Sequence, residues 1–207
     1  MRIALVLLLT SFCCAQVTPK TMTKIETVLQ GPDIPAGSFA TKPKVTYRAG
    51  TRYCRVEEAE DAEHGVHGLL IVNEPDAWIV NLTNKTGRHI IDPGPTFNCH
   101  LPIFADDPEK DTSGLEFGIE MEFFKSKGAT PHEGSVLQGK QTTQYQVKIG
   151  NSKLALFTYG TPERPLAVGR VRGENGEIVW YSGFGQVSFD PKVFAKPEGI
   201  KIAESKP

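Results

Sequence analysis

The chain is expected to be mainly β, of the α+β class, on three observations: an excess of turn residues, short stretches of alternating polarity, and one apolar stretch with helix-type ends. Its 207 residues include 20 glycines and 15 prolines, about 17% against about 12% in average usage, which favours many turns over long helices. A chain of this length buries a full core without metals or several disulfides. Lys and Arg number 23 against 24 Asp and Glu, a net charge of -1, so nothing in the charge marks a nucleic-acid partner. No apolar run reaches the roughly 18 residues that a membrane-spanning helix needs.

The order of the chain begins with MRIALVLLLTSFCCA over residues 1–15. A basic residue at Arg2, an apolar run from Ile3 to Leu9 and small residues ending at Ala15 have the order of a secretory signal peptide, with cleavage expected after Ala15. Lipid attachment at Cys13 or Cys14 is the competing reading, and Phe12 before Cys13 counts against it. Export, to a periplasm or the outside, leaves Cys54 and Cys99 as an even pair in an oxidising compartment, where a disulfide is the default and two separate buried thiols are the alternative. Closing that loop contributes about 4 kcal/mol in the chain-entropy view.

Residues 16–41 are rich in Thr, Pro and Gly and are expected to be loosely structured, apart from Met22–Leu29, which reads as a strand or a short helical stretch. One domain then runs over residues 42–204. Val45–Tyr47 and Arg52–Val56 flank a turn at Ala49 and Gly50 and alternate as a hairpin does. The acidic run Glu57–Glu63 reads as a solvated loop. Leu69–Val72, Ala77–Leu82 and Arg88–Ile91 continue as short strands whose brief connections imply antiparallel neighbours, until IDPGP at Ile91–Pro95 ends the sheet. A second meander runs through Gln144–Ile149, Lys153–Tyr159, Leu166–Arg172 and Glu177–Phe184. Asp190–Phe194 reads as a helical turn and Ile200–Ala203 as a closing edge strand.

Between the meanders the signals conflict. Apolar residues at Leu115, Phe117, Ile119, Met121 and Phe123 recur at every second position, the period of a strand. The ends have the form of a helix: Ser113 and Glu116 are spaced as a capping box, Lys125 and Lys127 stand where a last turn favours cations, and Gly128 stands where a helix stops. A central helix over residues 113–127, buried on several sides, is therefore expected.

Motifs for chemistry are sparse. Glu63, His64 and His67 are spaced as metal ligands can be, but in EHGVHG, after an acidic run, a titrating surface loop is the simpler reading and no metal site is expected. There is no GxSxG, SxxK or CxxC, and SGFGQ lacks the Gly-Lys and the following helix of a phosphate loop. Asp106 and Asp107 belong to a polar loop. No catalytic residue and no cofactor is expected. Trp78 and Trp180, with Tyr145, Phe157 and Phe184, are strand aromatics, and a sheet with many large apolar groups on one face needs something to cover it.

The C-terminal third carries a resemblance. Pro165 and Leu166 open a strand, VWYSG stands at Val179–Gly183, and FDPKVFAKPEGIKI at Phe189–Ile202 contains a D-P-x-x-F-x-x-P-x-G closing turn. Together they resemble the ending of the LolA/LolB-like superfamily of exported lipoprotein and lipid carriers. RAGTRYCRVE at Arg48–Glu57, LLIVNEPDAWIVN at Leu69–Asn81 and the GRHIIDPGP turn are similar to the early strands of uncharacterised envelope proteins. The resemblance covers residues 40–204 in layout. It implies a curved antiparallel sheet, an unclosed half barrel, with the 113–127 helix as lid or plug. No residue here matches the arginine with which such carriers gate their cavity.

Two functions follow. The first is a non-enzymatic exported protein that holds a lipid, a lipoprotein acyl chain or another apolar ligand between sheet and helix, with Trp78, Val80, Phe117, Met121, Phe124 and Trp180 as the expected ligand-binding residues. The second is a structural or interaction domain of the cell envelope, its concavity plugged by its own helix and its partner another envelope protein.

Overall fold

Alternating polarity and tight turns build one open sheet. A computed structural model describes residues 18–32, 34–35, 41–91, 99, 101, 103–104, 112 and 114–204. Strands β1 (Thr21–Gln30), β2 (Lys44–Ala49), β3 (Tyr53–Glu58), β4 (Gly68–Asn73), β5 (Asp76–Asn81) and β6 (Thr86–Ile91) precede helix α1 (Glu120–Ser126). After it come β7 (Pro131–Leu137), β8 (Lys140–Ile149), β9 (Ser152–Thr158), β10 (Pro165–Arg172) and β11 (Asn175–Ser188), then a 3-10 turn at Pro191–Phe194 and β12 (Lys201–Glu204). The twelve strands form one curved sheet that does not close into a barrel, in the order β12-β6-β5-β4-β3-β2-β1-β11-β10-β9-β8-β7. Neighbours are antiparallel except β12 and β6. Gly50, Gly150 and Gly173, all at positive φ, turn the chain between strands at the cost only glycine avoids.

The expected meanders are present as β2–β6 and β8–β11, and β1 joins them. Thr21–Gln30 lies within the segment 16–41 that the sequence predicts to be loosely structured, yet it is the central strand, hydrogen-bonded to β2 on one side and β11 on the other. Of the two readings of Met22–Leu29, the strand is the one observed. Ile25 is fully buried and Thr27 is 3% exposed, so the patterned face of this stretch fills the middle of the molecule. Strand β7 has no counterpart among the expected elements. It pairs with β8 while its residues stay mostly exposed, so it carries no apolar alternation to detect.

The helix is shorter than 113–127. Ser113 lies outside the described residues, and α1 starts at Glu120 after Ile119, with no side chain capping it. Gly118 at φ +86 breaks the helical path. The Glu116 carboxylate accepts from Arg48 at 2.6 Å. Residues 115 and 117 instead pair with 101 and 103, Ile103 N–H donating to the Leu115 carbonyl at 3.0 Å and Phe117 N–H to that of Leu101 at 2.9 Å. Of the every-second-residue series, Leu115 and Phe117 thus stand in the paired stretch before the helix, whereas Met121 and Phe123 lie on α1 itself. At the other end Gly128, at φ +78, stops α1 as the sequence implies.

Successive residues of each strand face opposite sides, and the register assigns them. On the helix-bearing face, Leu154, Leu156, Val168, Val179, Tyr145 and Tyr181 pack with Phe123, Phe124 and Leu115. Farther along this face Cys54, Val72 and Ala77 pack under Cys99 and Leu101. Cys54 and Cys99 form a disulfide, their Cα atoms 5.9 Å apart, within the span a bridge requires. On the opposite face the C-terminal closing turn covers β3–β6: Phe194, fully buried, joins Ile71, Trp78 and Val80, with Phe189, Ile200 and Ile202 around them. Asp190 caps that turn by accepting from Lys192 N–H at 2.9 Å.

Candidate functional site

The six residues expected to bind ligand do not form one surface. Phe117, Met121 and Phe124 stand on the helix-bearing side; Phe124 is fully buried, Met121 7% exposed, and Phe117 packs half-buried against two core clusters. Trp78 and Val80 belong to the opposite face, under Phe194, where Trp78 stacks on its cross-strand neighbour His89 at 5.3 Å. Trp180 also lies on the opposite face, paired with Val28 on β1 and Ala167 on β10.

Buried polar groups at the start of α1 hold one another. Arg48, 5% exposed, donates through its guanidinium to Glu116 at 2.6 Å and to the Phe117 carbonyl at 3.1 Å. The buried Glu120 carboxylate accepts from Tyr181 Oη at 2.6 Å and from Gly118 N–H at 2.8 Å. Burial raises the pKa of Glu120 above the ordinary carboxyl value, and the Tyr181 and Gly118 hydrogen bonds and the Arg48 charge only partly oppose it. Burial, and then the neighbouring Glu120, push the Tyr181 phenol well up. Such a network locks the start of α1 against the sheet.

The opposite face of β8–β11 differs. The described C-terminal segment, Phe189–Ile202, packs over β3–β6. Register aligns Gln144, Phe157 and Ala167 with Trp180 in one row, Gln146, Ala155, Gly169 and Ile178 in the next, and Lys148, Lys153, Val171 and Gly176 in a third. Ala155, Gly169 and Gly176 are small residues on adjacent strands, so their rows sink below Phe157, Ile178 and Val171. The result is a depression of about 440 Å³, closed at one rim by Gly31 and Pro32, a volume in the range of roughly 300–1,000 Å³ typical of small-molecule sites. Gly31 is required at that rim, because a Cβ there would stand 2.5 Å from the Gly176 carbonyl oxygen. Arg170 does not line the floor as a free charge; it pairs with Glu177 and lies over the Phe104 ring at 4.4 Å.

The histidine cluster serves the surface. His64 Nδ1 lies 2.9 Å from Asp61, whose carboxyl that hydrogen bond holds below the usual range, and His67 Nε2 lies 3.2 Å from Glu57. Among the described residues no three His, Cys, Asp or Glu side chains are placed to share a metal ion, and no helix is long and apolar enough to cross a membrane. Sequence reasoning marks Phe157 only as a strand aromatic and misses Ala155, Gly169 and Ile178; each is ordinary in its own strand and meaningful only once register brings them together.

No family model matches this chain, and no curated protein matches it. Among solved structures, an uncharacterized conserved protein from Thermus thermophilus is similar over 90% of this chain and 91% of its own, at TM-score 0.52 and 9% identity; the two share a fold. A LolA superfamily protein from Nitrosomonas europaea is similar over 86% of this chain and 90% of its own, at TM-score 0.37 and 11% identity. The Pseudomonas aeruginosa MucA/MucB complex is similar over 85% of this chain and 56% of the matched chain, at TM-score 0.42 and 8% identity.

Proposed function

We propose that this chain is an exported, non-enzymatic binding protein that holds an apolar ligand, an acyl chain of a lipid or lipoprotein, against its curved sheet. The observation that carries this reading is the depression on β8–β11, a hollow left open among the described residues and lined by the apolar Ala155, Phe157, Gly169 and Ile178. The Cys54–Cys99 disulfide supports the export implied by the leader-like residues 1–15, since such bridges persist in oxidising compartments. The site proposed is on the face opposite α1, not between sheet and helix, because Met121 and Phe124 are spent on the core.

The test is lipid mass spectrometry on protein purified from its native compartment, together with titration of a fluorescent fatty acid. Gly169→Leu is the control. A Cβ at Gly169 meets nothing nearer than an ordinary contact at 3.8 Å, so the larger side chain fills the hollow without breaking the strand. Saturable binding that Gly169→Leu abolishes is expected; a protein that carries no lipid and binds no fatty acid sinks the reading. One observation favours the second reading, an envelope interaction domain: α1 packs Phe123 and Phe124 into the core on its own face of the sheet, as a plug does. Absence of any apolar ligand, with a protein partner recovered by crosslinking in the envelope, is its expected signature.

A further inference from the structure

We propose that the depression takes a single-chain amphiphile with an anionic head, a long-chain carboxylate, whose head is held by Lys148 and Lys153; this rests on the ligand reading above and gives the ligand its chemistry. Lys148 and Lys153 are directly opposed across β8 and β9, on the same face as the depression. Like charges in that position repel each other and cost stability. Neither side chain has a hydrogen bond or ion pair with any described residue. The nearby guanidinium of Arg170 is committed to Glu177 and Phe104, so the lysines are the cations left for a ligand.

Their position suits a head group. Lys153 lines the depression at one end and Phe157 toward the other, four residues along β9 and so about 13 Å apart. Between them the floor is Ala155, Gly169 and Ile178, with no charge. A volume of about 440 Å³ lies in the lower half of the range for ligand sites and suits one chain. An apolar trough with a cation pair at one end is complementary to an acyl chain ending in a carboxylate, and an anion there relieves the Lys148–Lys153 repulsion.

The experiment compares palmitate with hexadecanol, the same chain with a neutral head, on the wild-type chain and on Lys148→Gln/Lys153→Gln, by displacement of a fluorescent fatty acid at low and high salt. Both lysines are exposed, so the double variant is expected to fold, and circular dichroism checks it. In the wild type palmitate is expected to bind about fivefold more tightly than hexadecanol, as two exposed charge contacts would give. That preference shrinks with salt and vanishes in the double variant, while hexadecanol binding stays the same. Equal binding of both ligands by the wild type, or a preference that survives in the double variant, overturns the inference while leaving the apolar site standing. Failure of both ligands to bind, or unchanged palmitate binding by Gly169→Leu, overturns the site itself.

Discussion

Strands β8–β11 present two faces built from alternate residues of the same chain, and among the described residues only one is covered. Toward α1 they offer Leu154, Leu156, Val168 and Val179, none more than 3% exposed, and these meet Phe123, Phe124 and Leu115 as in a close-packed interior. Away from α1 they offer Ala155, Gly169, Gly176 and a half-buried Phe157, with glutamines and lysines at the margins. Over β3–β6, by contrast, the closing turn buries that same opposite face with Phe194 and Phe189. The difference teaches that an apolar central segment is no guide to a ligand site. The bulky residues mark where the protein covers itself, and the small ones mark where it leaves room.

Truncations on the two faces should therefore cost very different amounts. Phe124→Ala removes a fully buried ring from the covered face and is expected to lower unfolding free energy by about 3–5 kcal/mol, measured by urea denaturation. Arg48→Ala removes a buried guanidinium that holds both Glu116 and the Phe117 carbonyl and belongs in the same range, about 3–5 kcal/mol. Phe157→Ala, on the open face, is expected to cost about 1 kcal/mol, since the ring is only half removed from water, and yet to weaken fatty-acid binding where Phe124→Ala does not. Equal stability losses at Phe124 and Phe157 would break the comparison.

Much of this layout was legible along the chain. The β2–β6 and β8–β11 strands announce themselves because most are half-buried and most end near a turn glycine or proline, and the closing turn at Asp190–Phe194 is a local motif with its own cap. The start of α1 was not legible, because Glu116 satisfies the capping spacing yet serves an arginine 68 residues away. Nor was the union of the two meanders: β1 pairs with β11 from the far end of the chain, Thr21 with Ser188 and Gln30 with Ile178, and such register is set by packing rather than by local pattern. The depression is illegible for the same reason. An alanine and two glycines on three strands make a hollow only when pairing sets them side by side.

The smallest expected effect is one of slope, and it tests how tightly the covered face is sealed. Glu120 is 3% exposed and its folded-state pKa is raised chiefly by burial, so the folded protein holds that proton more tightly than the unfolded chain does. The stability from this group is then fully present below the ordinary carboxyl value of 4.5 and is lost as pH rises through the raised folded value, where the carboxylate must ionise among apolar neighbours. Glu120→Gln keeps an oxygen for Tyr181 Oη and Gly118 N–H but cannot ionise. Denaturation from pH 4 to pH 8 should show wild-type stability falling relative to Glu120→Gln across that window. Parallel curves would mean that water reaches Glu120, and that the face under α1 is more open than its packing implies.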